Sequence, residues 1–240
     1  MQTNKYKFKT QINKMDLTER KAVIISAGIS GWYPAGVRRL ERSLNFEGWG
    51  GDIMTWQDYP PNCPRHDDIP YYLKIAAFEE AIKQGYTHIL WVDASFFAVK
   101  NPMPMFDIIS EQGYWFFSSG YNLAQSINDN SLNFVGKTRD EAEQQTEWAS
   151  GCVGIRIDNP DGKKLYERWK YYMDAGLSIG SRLHDNQSAD PRFLFHRQDQ
   201  SCLNLAIWEL GLKNERVDDM VAYKGTGYNK DKVIWFIQSL

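Results

Sequence analysis

Ile89-Leu90-Trp91-Val92-Asp93-Ala94-Ser95 is an unbroken apolar run that stops at an acid. With no polar residue alternating along it, the run reads as a strand covered on both faces, as in the centre of an α/β sheet. Open α/β sheets bind ligands beyond the carboxyl ends of their strands, and that is where Asp93 stands. The flanks agree with this. Tyr71 to Gln84 predicts a helix, with Leu73, Ala76, Ala77 and Ala81 at core spacing and Gly85 placed to cap it, while Lys100-Asn101-Pro102 predicts a loop.

Working outward, Ala22 to Gly28 is a β-branched apolar run ending in small residues and predicts the first core strand. Ala35 to Leu44 carries Val37, Leu40 and Leu44 on one helical face, and Asp52 to Trp56 predicts a second short strand. The segment from Tyr59 to Pro70 is too long and proline-dense for a simple connector, which suits a loop that covers a site. Further helices are predicted over 105–112, 162–174 and 199–210, and strands over 114–118, 150–157 and 233–237. Residues 121–147 are polar and without a strong period, as in a lid or an irregular helix. Strands alternating with helices predict one Rossmann-like, mostly parallel sheet with helices on both faces. The domain expectation is a polar leader over residues 1–20 and a single domain over 21–240. Nothing in the sequence tells whether the chain is one domain of a longer polypeptide.

The chain has 240 residues with 28 basic and 30 acidic side chains, for a net charge of -2, so it carries no basic footprint for nucleic acid. The N-terminal segment lacks the apolar core of a signal peptide, and no stretch is long and apolar enough to predict a transmembrane span. Cys63, Cys152 and Cys202 are odd in number and widely spaced, which points to a reducing compartment and a cytoplasmic location rather than to disulfides or a structural zinc site. Nine Trp, thirteen Tyr and twelve Phe supply core material and candidate stacking platforms for sugars or bases, Trp32, Tyr121 and Trp148 among them.

The order of these elements, with Lys74 on the helix before Leu90-Trp91-Val92-Asp93-Ala94-Ser95, Asn101 to Asp107 after it, the glycine-bearing Ala149-Ser150-Gly151-Cys152-Val153-Gly154 and the late Arg197-Gln198-Asp199-Gln200, resembles the nucleotide-sugar glycosyltransferases of the A-type fold over residues 22–212. The resemblance implies transfer of a sugar from a nucleoside-diphosphate sugar to a hydroxyl of a carbohydrate or other acceptor. It implies a donor half over about 21–110 and an acceptor half over about 111–240. Ala27, Gly28, Lys74, Asp93 and Ser95 become donor contacts, and Gly151, Cys152 and Gln200 acceptor contacts. Asp93 and Asp199 become the catalytic carboxylates, Asp199 serving either as a helix cap or as a base toward the acceptor, two compatible roles.

Departure of a diphosphate builds negative charge that Mg²⁺ or Mn²⁺ can stabilise as a Lewis acid. The family carries Asp-x-Asp at this point, and here Ser95 replaces the second acid. A hydroxyl can ligate Mg²⁺ but adds no charge, so the expected cation on Asp93 and Ser95 is weakly held or dispensable, with Lys74 or Arg38 as alternative counter-charges. His196 and His184 are the histidines weighed as a further ligand. The spacing of Gly28 and Gly31 is not a dinucleotide fingerprint, and no P-loop or nucleophile elbow occurs. A sugar nucleotidyltransferase and a non-catalytic sugar- or nucleotide-binding relative stay open as alternatives.

Overall fold

The computed structural model describes residues 20–178, 188–214, 219–223, 225 and 227–238. Residues 1–19 of the expected leader and His184 lie outside the described residues. Strand β1 (Ala22–Ala27) is buried at every position, and it is followed by α1 (Tyr33–Phe46), β2 (Asp52–Trp56), α2 (Leu73–Lys83) and β3 (His88–Val92). Then come β4 (Phe96–Ala98), α3 (Met103–Gln112) and β5 (Tyr114–Asn122). The polar stretch after β5 folds as three short helices, α4 (Leu123–Ser126), α5 (Asp129–Phe134) and α6 (Arg139–Glu143). Asn122, Asn128 and Thr138 cap them by accepting from backbone N–H groups of the first turn. The chain continues through β6 (Thr146–Arg156), α7 (Pro160–Asp174), α8 (Asp199–Leu210), β7 (Val221–Tyr223) and β8 (Trp235–Ile237).

The central sheet has the order β2-β1-β3-β6-β5. It is mixed, which corrects the expectation of a mostly parallel sheet. Strands β2, β1 and β3 pair in parallel, but β6 runs antiparallel to both β3 and β5. The cause is the connection from β5 to β6. Its short helices return the chain beside the strand it has just left, whereas a parallel neighbour needs a crossover over the sheet face. A smaller sheet, β4-β8-β7, forms alongside.

Alternation along the strands sorts the core into two layers. Val23 and Ile25 of β1, Ile89 and Trp91 of β3, and Val153 and Ile155 of β6 pack with α2, α7 and α8. Ile24, Leu90, Val92 and Cys152 face the other way, against Leu40 and Leu44 of α1 and Met105, Phe106 and Ile109 of α3. Helices therefore cover both faces, as expected. The same alternation aims Asp93, two residues beyond Trp91, toward the layer of α2 and α8. Among the described residues no helix is long and apolar enough to cross a membrane.

The turn that presents Asp93 is clamped from behind. Phe96 N–H donates to the Asp93 carbonyl at 2.9 Å, and the Ser95 carbonyl accepts from Arg39 at 2.9 Å and from Gln238 N–H at 2.9 Å. Helix α1 approaches this turn so closely that a Cβ on Gly36 would lie 2.3 Å from the Ala94 carbonyl oxygen. Backbone cannot yield as a flexible side chain can, so Gly36→Ala should lower stability by about 1–3 kcal/mol in urea unfolding. An unchanged midpoint would show that the contact does not limit the packing.

Candidate functional site

Three charged side chains meet beyond the carboxyl end of β3. Lys74 comes from the first turn of α2, Asp93 follows β3, and Asp199 opens α8. Lys74 Nζ lies 2.8 Å from Asp199 Oδ2, an ionic contact rather than an aligned hydrogen bond, and 3.4 Å from Asp93 Oδ1. The ammonium also donates to both the carbonyl and the hydroxyl of Ser150, each at 3.0 Å. Asp93 Oδ1 accepts from the Trp91 indole N–H at 2.6 Å, and Asp93 N–H donates to the Gly151 carbonyl at 2.8 Å. Lys74 and Asp199 are buried, whereas the Asp93 side chain keeps 36% of its surface exposed.

Burial opposes the charge on Lys74, but Asp199 and Asp93 outweigh it and hold the ammonium above its ordinary value. Loss of solvent pushes the Asp93 carboxyl up. Lys74 pulls it down, Asp199 pushes it up again, and the net direction is upward.

Antiparallel β6 overhangs the end of β3, and this places Ser150 and Gly151 at the site. A Cβ on Gly151 would come within 3.1 Å of both Asp93 Oδ2 and the Phe96 ring, so the bare glycine lets the carboxylate and the ring pack against β6. Gln200, beside Asp199, is buried and its amide is used internally. Its Oε1 accepts from Ser150 N–H at 3.0 Å, and its Nε2 donates to Glu147 Oε1 at 2.8 Å. Glu147 is fully buried, accepts from the Ser119 hydroxyl, and lies 3.9 Å from Arg197 Nε. Trp91 and Ser150 stand in the motifs quoted from the sequence without an assigned role, and Glu147 stands in none of them. Trp91 was legible as the residue sharing a strand face with Asp93, but Glu147 sits in a polar stretch with no periodic signal.

Other candidates stand apart from the triad. Gly28 is buried, and a Cβ there would lie 2.5 Å from the Tyr33 carbonyl oxygen, so packing of the entry to α1 already accounts for it. Ala27 is buried against β2, and the Cys152 side chain points into the opposite core layer. His196 Nε2 pairs with the Leu177 carbonyl at 2.8 Å and Nδ1 accepts from Asn128 N–H at 3.4 Å, so both ring nitrogens face backbone groups. Arg38 donates to Gln57 on the surface.

Among the described residues no group of three or more His, Cys, Asp or Glu side chains could hold a metal. The donor set at Asp93 is oxygen, with Oδ2 beside Gly151 and the charges of the triad summing to a net negative. That fits Mg²⁺ or Mn²⁺ only as a cation that takes most of its ligands from phosphate and water, a habit of Mg²⁺.

Two non-glycine residues with positive φ flank the triad, Tyr71 at 61° and Gln198 at 45°. Such conformations disfavour an L side chain and concentrate at functional sites.

Removing the lysine tests the electrostatics. Lys74→Met leaves two carboxylates without their counter-ion and should cost about 3–5 kcal/mol at pH 7 in urea unfolding, with the deficit shrinking as acid protonates Asp93. In the native chain the raised Lys74 value means its contribution is complete below the ordinary 10.5 and is lost as pH rises through the folded value. Asp93, also raised, contributes fully below its ordinary 3.8 and loses that contribution as pH rises through its folded value. A Lys74→Met deficit that does not change between pH 7 and pH 4 would contradict this ledger of charges.

No family model and no curated protein matches the chain. Solved structures do. One described as the crystal structure of a glycosyltransferase involved in the glycosylation of the major capsid of PBCV-1 aligns over 90% of this chain and 93% of its own, with 10% identity and a TM-score of 0.43. A likeness that distant carries no weight for activity, which has to be judged from the residues.

Proposed function

We propose that the chain is a glycosyltransferase that moves a sugar from a nucleoside-diphosphate donor to a hydroxyl of a carbohydrate or other acceptor. One observation carries the reading. A carboxylate at the end of a central strand, with one oxygen fixed by Trp91 and Lys74 and the other beside Gly151, is tied through that lysine to a second carboxylate at the start of α8.

In this reading residues 21–110 bind the donor and residues 111–240 the acceptor. The triad sits where the halves meet, because Lys74 and Asp93 come from the first and Ser150, Asp199 and Gln200 from the second. Asp93 orients the diphosphate. When a divalent cation is bound, Asp93 with the Ser95 hydroxyl would hold it, and it would supply Lewis-acid stabilisation of the departing phosphate oxygens. Lys74 is wholly engaged by protein oxygens, so its part is to fix the two carboxylates in register rather than to reach the phosphates itself. As the bond from the anomeric carbon to the diphosphate oxygen breaks, the acceptor oxygen bonds to that carbon and its proton passes to a base; assigning that base to Asp199 requires the acceptor hydroxyl to reach a carboxylate that is buried and paired with Lys74. Gln200 holds Ser150, and through it the ammonium, in place.

Isothermal titration with UDP, GDP and CDP, each with Mn²⁺, should give saturable binding to at least one, weakened by EDTA. Binding to none would contradict the reading. Asp93→Asn should lower transfer from the matching nucleotide sugar by at least ~10²-fold while the chain stays folded. Full activity in that variant would remove Asp93 from the chemistry. Nucleotide binding with no transfer to any hydroxyl would favour the non-catalytic alternative.

A further inference from the structure

Tyr71 joins the proline-rich loop to α2 and stands three residues before Lys74. Its φ of 61° is a conformation that glycine adopts freely and an aromatic L-residue does not. Its main-chain N–H donates to His66 Nδ1 at 3.3 Å, and its ring meets the His66 ring edge-on at 4.8 Å. The residue is 39% exposed, and its ring centroid lies 6.0 Å from Lys74 Nζ. Burial first, then Asp199 and Asp93, raise the phenol above its ordinary value, with Lys74 opposing. At neutral pH the hydroxyl is therefore a hydrogen-bond donor. A bulky donor side chain thus stands beside a charged triad, in a backbone conformation that glycine would occupy with less strain. Such conformations persist only where the surrounding structure over-determines them, and they cluster at active sites and ligand clamps.

We infer that Tyr71 contacts the substrate, its phenol donating a hydrogen bond to an oxygen of the donor diphosphate above Asp93. The inference rests on the reading of the site as a nucleotide-sugar site and adds to it a residue from the junction of the proline-rich loop and α2. Asp93 would then hold the diphosphate through a bound divalent cation, and Tyr71 directly through a neutral donor.

Two variants separate the contact from packing. Tyr71→Phe keeps the ring and the backbone strain but removes the donor. Tyr71→Gly removes the side chain and relieves the strain. Each is compared with the native chain by thermal unfolding and by titration with UDP, GDP and CDP in Mn²⁺. Tyr71→Phe should leave the thermal midpoint unchanged and weaken binding of the recognised diphosphate by roughly 5–10-fold, the effect of one hydrogen bond. Tyr71→Gly should weaken binding at least as much while its midpoint stays within about 2 °C of the native value or rises. Native-like affinity in Tyr71→Phe overturns the inference and leaves the nucleotide-sugar reading standing. A fall of more than about 5 °C in Tyr71→Gly also overturns it, by showing that the residue serves the fold. Failure of the native chain to bind any of the three overturns the nucleotide-sugar reading, and this inference with it.

Discussion

The site depends on one buried ammonium. Lys74 is 3% exposed, and an unpaired charge at that depth would be intolerable. Its environment answers with two carboxylates and both oxygens of Ser150, so the lysine becomes the point at which α2, β3, β6 and α8 are tied together. Each partner comes from a different element, and shifting any of them exposes a charge imbalance in a low-dielectric setting. That is why the arrangement is fixed before a ligand arrives, and preorganised charge is what transfer chemistry draws on.

The sheet explains how those elements converge. Parallel β1 and β3 end together, as in any open α/β sheet, and by themselves would offer only Asp93. The reversed strand β6 changes this by running past the end of β3, which sets Ser150 and Gly151 against Lys74 and Asp93. Beyond them the same strand carries Glu147, whose hydrogen bond to Gln200 secures the first turn of α8 next to Asp199. On the far side, Arg39 and Gln238 hold the turn at Ser95, so the carboxylate is fixed from both the triad side and the rear.

Much of this was legible in the sequence. The strand ending at Asp93 announced itself by apolar continuity, and β3 is buried at every position. The helix of Asp199 has the expected bounds of 199–210, and the helix of Lys74 lies within the expected 71–84. The direction of β6 was not legible, because alternating strand and helix signals do not reveal whether a polar connector crosses the sheet or doubles back beside it. Short capped helices such as Asn128 to Phe134 are set by local hydrogen bonds and give no periodic signal. The lysine was recognised, but its pairing with Asp199 joins residues more than a hundred positions apart, and no local pattern encodes that. Likewise the glycine at 28 looked like room for a ligand, whereas the Tyr33 carbonyl is what demands it.

The central claim is that the Asp93 end of β3 receives a nucleoside diphosphate. The most direct reporter is the Trp91 indole N–H, which donates to Asp93 Oδ1 from a buried ring. Its ¹H–¹⁵N resonance can be assigned by its absence in Trp91→Phe and followed while UDP, GDP and CDP are added with Mg²⁺. The account predicts a saturable shift of that resonance with at least one of them. An indole resonance unmoved by all three would contradict it.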